Sequence, residues 1–294
     1  MGFLTATAAR LPSRNFSEAM RRFRALATIG YRRYATYRQA TFAALATNTM
    51  FGFLRSYVLL AVLGAAGASA AGSQSGSATV AGYTAPQLLS FVWVGQGLIG
   101  VVVLWGWRDL SDRIRSGDVV MDLLRPQHPV FTYLGQDLGR AAYAFLTRFV
   151  PPIAIGAVAF DLWLPRHATT YALGAVSIVF GVVISFGCRY LVNATAYWLL
   201  DNNGPVVLWT LLVGVLGGLY FPVRFLPEWA MWTLWLGTPC PSIMQAPLDV
   251  ITERAGTPGT AAIMGIQVFW VVAILAACVL VQRLAERKLV VQGG

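Results

Sequence analysis

AAIMGIQVFWVVAILAACVLVQ, the run from Ala261 to Gln282, holds 22 residues without one charged side chain. A bilayer core of about 30 Å is crossed by roughly 20 helical residues at about 1.5 Å each, so this run is long enough to span one. Five further apolar stretches lie near 41–64, 86–107, 140–161, 169–191 and 205–225. The composition agrees. The chain has 294 residues, of which 57% are apolar and 12% charged, and its mean hydropathy is +0.62. A soluble protein carries about 25% charged residues, and half of that cannot coat a soluble surface of this size. The expected fold is an all-α membrane protein of six transmembrane helices.

The remaining charge is one-sided, with 22 basic against 12 acidic residues. Six spans place both termini on one side. That side holds the N-terminal arm, 108–140, Arg189 and the tail, with 17 of the basic residues. The other side holds Arg166, Arg224 and Arg254. Basic residues gather on the cytoplasmic side of spans and attract anionic headgroups there, so both termini are expected to be cytoplasmic. The same arrangement accounts for the basic balance through membrane lipids, without a nucleic-acid partner. Residues 1–40 form an arm, 41–282 the six-span domain and 283–294 a tail.

The arm lacks the continuous apolar core of a signal peptide and carries eight arginines. Phe16, Met20, Phe23, Ala27, Tyr31 and Tyr34 recur at three- or four-residue steps. That spacing gives one apolar stripe on an otherwise basic helix, suited to lie in the membrane interface. Between spans two and three, Arg108, Asp109, Asp112, Arg113, Arg115, Asp118, Asp122 and Arg125 surround a helix break at Gly117. Leu110, Ile114, Met121 and Leu124 are expected to anchor this element, with Pro126 ending its second helix. A short charged helix here could dock a soluble motor; a solvated loop would have the same composition. The apolar run Thr169–Leu200 is long enough that its helix must tilt, kink or project from the membrane, with Arg189 snorkelling at the inner interface. From 222 to 248, five prolines interleave with Trp229, Trp232 and Trp235. A continuous helix cannot pass that many prolines, so short re-entrant or interfacial helices on the external face are expected.

Chemistry within the membrane is disfavoured. Lys288 is the only lysine and lies outside any Gly-x-x-x-x-Gly-Lys-Ser/Thr motif, so the chain has no P-loop to hold nucleotide phosphates. Cys188, Cys240 and Cys278 are scattered, and His128 and His167 stand apart, which argues against a metal or disulfide framework. No acidic residue is expected well inside a span, which argues against a proton-coupled carrier. Two arginines, Arg55 and Arg148, are expected at membrane depth. Snorkelling or capping of backbone carbonyls would explain them; so would a subunit interface or a cavity that receives an anionic group.

The ordered features resemble the membrane subunit of a type-two ATP-binding-cassette exporter, in the bacterial branch with separate permease and ATPase chains. The resemblance is carried by Tyr31-Arg32-Arg33-Tyr34, Asn48-Thr49-Met50-Phe51-Gly52-Phe53-Leu54-Arg55, Arg113-Ile114-Arg115-Ser116-Gly117-Asp118 and Asp122-Leu123-Leu124-Arg125-Pro126. Leu191-Val192-Asn193, Trp198-Leu199-Leu200-Asp201, Gln245-Ala246-Pro247-Leu248-Asp249 and Val290-Val291-Gln292-Gly293-Gly294 extend it over nearly the whole chain. It implies a permease in a bacterial plasma membrane with an elbow helix at 16–38, a coupling helix within 108–125 and re-entrant helices at 222–248. It also implies a second permease chain, identical or homologous, and two copies of an ABC ATPase that bind ATP and Mg, with no cofactor on this chain. Gly214 and Gly218 would then allow close helix packing on span five. Drugs, natural products and lipid-like molecules are the cargo classes it brings. A stand-alone channel, carrier or membrane scaffold would need neither partner.

Overall fold

The computed structural model describes residues 16–70, 82–104, 106–125, 127–199, 201–254 and 256–288, and among these the architecture is all helical. Helix α1 (Phe16–Ala35) turns at Thr36–Tyr37 into α2 (Arg38–Ala70). Helix α3 (Ala85–Val102) is followed by a non-helical stretch and then by α4 (Asp109–Ser116) and α5 (Val119–Leu123). Helix α6 (Pro129–Ala144) continues through a π-helical turn (Phe145–Phe149) into α7 (Val150–Ala159). Beyond α8 (Ala168–Ala194) and α9 (Asn203–Leu216) come the short α10 (Glu228–Gly237), α11 (Cys240–Ile243) and α12 (Gln245–Ile251), and then α13 (Thr260–Glu286).

Helix α3 is the axis of the bundle. It packs against α2, α6, α7 and α8, and Trp93, Leu98 and Val102 on it have no exposed surface. Apolar side chains point outward elsewhere: Met50, Leu54 and Val58 on α2, Leu208 and Leu211 on α9, and Phe269 and Val272 on α13 are all exposed. Faces of this size and character are stable in lipid or against another chain, not in water.

Among the described residues, five helices are long and apolar enough to cross a membrane: Arg38–Gly64, Ala85–Val102, Pro129–Ala159, Ala168–Tyr197 and Thr260–Glu286. The fifth expected span is shorter than 205–225, because α9 ends at Leu216. Its terminator is Gly218, whose φ of +84° is a left-handed conformation that favours glycine. Gly218 therefore lies beyond the helix, and the pair with Gly214 does not form one face of it. The second expected span ends five residues early, at Val102. The third begins at Pro129 rather than 140 and so carries Asp137 inside it, contrary to the expectation of spans free of acids. Pro151 and Pro152 come one residue after the π turn. Their rings would meet the carbonyls of Thr147 and Arg148 in a regular helix, and widening that turn relieves the conflict.

Gly30 on α1 and Gly135 and Gly139 on α6 bring those helices into close contact. A Cβ at Gly30 would strike the carbonyl of Gln136, and one at Gly139 that of Ala27. The Gly-x-x-x-Gly pair that permits close packing here is thus 135/139.

Candidate functional site

Helices α4 and α5 form a compact element between the second and third long helices. Asp109 and Asp112 occupy the first turn of α4 and Arg113 and Arg115 its last, each charge complementing the helix dipole. Gly117 closes α4 with φ +83°. Leu110 and Val119 are buried and anchor the pair, whereas Met121 and Leu124 are 61% and 74% exposed. The last two are therefore surface residues rather than anchors. Pro126 lies outside the described residues.

Polar contacts fasten this element to four other helices. Arg33 on α1 donates to Asp109 at 2.6 Å, and that bond holds the Arg33 guanidinium above its ordinary pKa. Asn193 on α8 accepts from the Ser111 backbone N–H at 3.2 Å and donates to the Trp107 carbonyl at 2.9 Å. Arg108 donates to Asn203, the first residue of α9, at 2.5 Å. Asp122 is buried and accepts from Arg113 within the element at 2.7 Å and from the Tyr133 hydroxyl on α6 at 2.7 Å. The expected coupling residues thus divide by role. Arg108, Asp109, Arg113 and Asp122 fasten the element, while Asp112, Arg115, Gly117, Asp118 and Arg125 are exposed around Met121 and Leu124. A cleft of about 380 Å³ between α1, α4, α5 and α6 is lined by acids and arginines together.

Directly behind it, at the C-terminal end of α3, lies a buried charge cluster. Asp137 accepts from Arg140 Nε at 2.7 Å and from Arg189 Nη2 at 2.9 Å. Arg140 also donates to the carbonyls of Gly100 and Val101, in the last turn of α3, at 3.1 and 2.8 Å. Arg189 is 2% exposed and does not snorkel, because it lies on the face of α8 that meets α6. Its Nε and Nη1 have no hydrogen-bond partner among the described residues. Beyond this cluster α3 unwinds: Val103 has φ +47°, Ser185 donates to its carbonyl at 2.9 Å, and Trp209 donates to the Leu104 carbonyl at 2.9 Å. Side chains from α8 and α9 thus hold the stretch that joins α3 to α4. Arg148, in the π turn, lays its stem on Gly100.

Arg55 is elsewhere. It donates to the Leu219 carbonyl at 2.8 Å and lies 5.9 Å from the Tyr220 ring centre, on a groove lined by Leu88 to Gly95 of α3. The structure therefore does not bring Arg55 and Arg148 into one site. Gly218 borders the Arg55 groove, and a Cβ at Gly214 would press on the Tyr220 ring.

At the N-terminal end of α3 a second buried network surrounds Asp249 on α12. It accepts from Arg224 Nε and Nη2 at 3.0 and 2.9 Å, from Gln245 at 2.7 Å and from the Tyr83 hydroxyl. Arg224 also reaches the Thr257 and Pro258 carbonyls, and Gln245 accepts from the Val223 N–H at 2.9 Å. Neither buried cluster is apparent from sequence, since their members are up to 166 residues apart. The proline-rich stretch is built as expected from short broken helices.

The family model for ABC-2 family transporter proteins matches residues 73–293. No curated protein and no solved structure matches the chain. The match covers about three quarters of the sequence, and the chain belongs to the ABC-2 transporter family: it is a multi-pass permease component of an ABC transport system.

Proposed function

From that membership, we propose that this chain is one of two permease subunits of an ATP-driven exporter in a bacterial plasma membrane, with both termini and the α4–α5 element in the cytoplasm. The observation that carries this reading is the build of α4–α5. Five of its charged or turn residues are presented outward around two exposed apolar side chains. Three others, Asp109, Asp122 and Arg108, bind it to α1, α6 and α9, so a push on its surface is delivered to several helices at once. Two copies of a separate ABC ATPase would supply ATP and Mg chemistry, and α1 would lie in the interface as an elbow. The apolar faces of α2 and α9 supply surface for a second permease, identical or homologous. The groove at Arg55 fits an amphipathic cargo, whether drug, natural product or lipid-like molecule.

Purification from native membranes in mild detergent tests this directly. A P-loop protein should co-elute with ATPase activity, and Arg115→Ala with Asp118→Ala should lower that activity while leaving the folded permease intact. A chain that elutes alone and leaves ATP untouched would instead support a stand-alone channel, carrier or scaffold.

A further inference from the structure

We propose that Arg148 binds the phosphate of an anionic bilayer phospholipid, at the end of α3 that leads to α4. Asp137 is already shared by Arg140 and Arg189, and Arg148 makes no hydrogen bond or ion pair among the described residues. The ionisable groups around it are Arg140, Tyr143 and Tyr34, with no carboxylate among them. Three arginines thus stand near a single aspartate, and a cationic excess held out of water calls for an anion. Arg140 and Arg189 are 3% and 2% exposed and cannot meet a lipid. Arg148 is half-buried. Its Nε is enclosed, while its outer nitrogens, also without partners, keep contact with the surface.

The level of Arg148 favours a headgroup. Its stem runs over Gly100, where a Cβ would lie 3.0 Å from Arg148 Cβ and 2.9 Å from its Cδ. Gly100 is two residues from Val102, the last of α3, or about 3 Å along the axis. Helix α3 has 18 residues and is about 27 Å long, close to the bilayer core of about 30 Å. Its end therefore marks a boundary of that core. Helices α6 and α7 run antiparallel to α3, with Gly156 against Trp93, so the Arg148 side chain leans back toward the same boundary. Tyr143, one turn earlier, meets Tyr31 of α1 and Thr41 of α2, and Tyr34 and Tyr37 border the turn between those two helices. Tyrosines collect at headgroup level, so a lipid phosphate at its ordinary depth can reach the guanidinium. Charge-assisted bonds from arginine to phosphate are strong. The site belongs to neither α2 nor α9, whose apolar faces supply surface for a second permease. The inference rests on α3 crossing the bilayer, not on ATP-driven export.

Native mass spectrometry of the purified chain, with equal phosphatidylglycerol and phosphatidylcholine of matched acyl chains, tests it. The wild-type chain should retain phosphatidylglycerol in preference, and excess inorganic phosphate should not displace it. Arg148→Gln should lower the preference about tenfold, the worth of one charge-assisted contact, whatever the basic face of α1 adds to it. Arg148→Lys should keep part of the preference, and Arg166→Gln, an exposed cation at the other end of the bundle, all of it. Gly100→Ala, which keeps the charge but presses on the Arg148 stem, should also lower it. Equal retention of the two lipids by the wild-type chain, or an undiminished preference in Arg148→Gln, would overturn the proposal. Displacement of phosphatidylglycerol by inorganic phosphate would overturn it too, in favour of a soluble anion. If Arg148→Gln does not fold, Gly100→Ala and Arg148→Lys decide: a preference unchanged in both overturns it. A chain that purifies without an ATPase yet shows this lipid pattern would sink the exporter reading and leave the lipid site standing.

Discussion

Two buried polar networks cap the two ends of α3, and they are built on opposite terms. At the N-terminal end Arg224 faces one carboxylate, Asp249, and its three nitrogens all have partners. At the C-terminal end two arginines share Asp137, and two nitrogens of Arg189 have no hydrogen-bond partner among the described residues, its guanidinium lying 5.8 Å from the Trp107 ring centre instead. A buried polar group without a partner costs about 1–3 kcal/mol, so the second arrangement is the less settled of the two. It is also the one beside the unwound stretch that leads to α4. The fully satisfied network behaves as a staple joining residue 83, the 223–225 turn and α12. The unsatisfied one lies beside the unwound stretch, and a cluster whose charges can be re-partnered suits a bundle with more than one packing.

The largest expected effect follows from breaking the staple. Asp249→Ala leaves the Arg224 charge buried without its counter-ion and strands the Tyr83 hydroxyl and Gln245. Removing one partner of a buried pair costs about 3–5 kcal/mol, so the thermal midpoint in detergent should fall steeply. The double variant Arg224→Met with Asp249→Leu removes both charges and should recover much of that loss. A single variant as stable as the wild-type chain would show that this network is not a staple.

Much of the backbone was legible before the side-chain contacts were. The stripe from Phe16 to Tyr34 predicts α1, Gly117 marks the end of α4, and the prolines from 222 to 247 predict short helices. These are local signals, set by periodicity and by what proline and glycine do to a chain. The charge clusters are not local. An aspartate and an arginine at 137 and 140 look like the polar boundary of a span, because hydropathy ignores whether charges cancel inside a bundle. What buries them is Arg189, fifty-two residues later, on a helix face that sequence does not show to be inward. The glycine pairs teach the same point. Two Gly-x-x-x-Gly spacings lie among the described residues, and only continuation of the helix separates them: Gly135 and Gly139 stay on α6, whereas Gly218 lies past the end of α9.

A middle-sized effect sharpens the contrast between the two networks. Arg189→Met removes the surplus buried cation and its N–H groups that lack hydrogen-bond partners, while Asp137 keeps its bonds from Arg140 Nε at 2.7 Å and Nη2 at 3.3 Å. Replacing poorly satisfied buried charge by an apolar side chain is often neutral, so stability should change by about 1 kcal/mol or less in either direction. Transport-coupled ATPase activity should fall if re-partnering around Asp137 is part of the motion. Asp137→Asn is the converse: it leaves two arginines facing a neutral amide and should destabilise clearly. If Arg189→Met costs as much as Asp249→Ala, the two networks are alike and the distinction fails.

The smallest effect concerns the rim of the staple. Glu253, two residues beyond α12, accepts from the Arg166 and His167 backbone N–H groups at 3.0 and 3.1 Å and from the Thr170 hydroxyl at 2.6 Å. It thereby ties the loop before α13 to the start of α8. Partial burial pushes its pKa upward, but the donors, led by the Arg166 N–H, prevail and bring it down to about 2. A carboxylate with a depressed folded-state pKa stabilises the fold fully above its unfolded value of about 4.3. That contribution is lost as pH falls from there through about 2. Solvent screens this surface cluster, so its worth is about 1 kcal/mol. Hydrogen exchange of the Arg166 and His167 amides, followed from pH 6 to pH 3, should show protection falling in the wild-type chain. Glu253→Gln should start lower and stay flat over the same range. Equal, pH-independent protection in both chains would mean that the carboxylate does not hold the loop, and that the staple ends at Asp249.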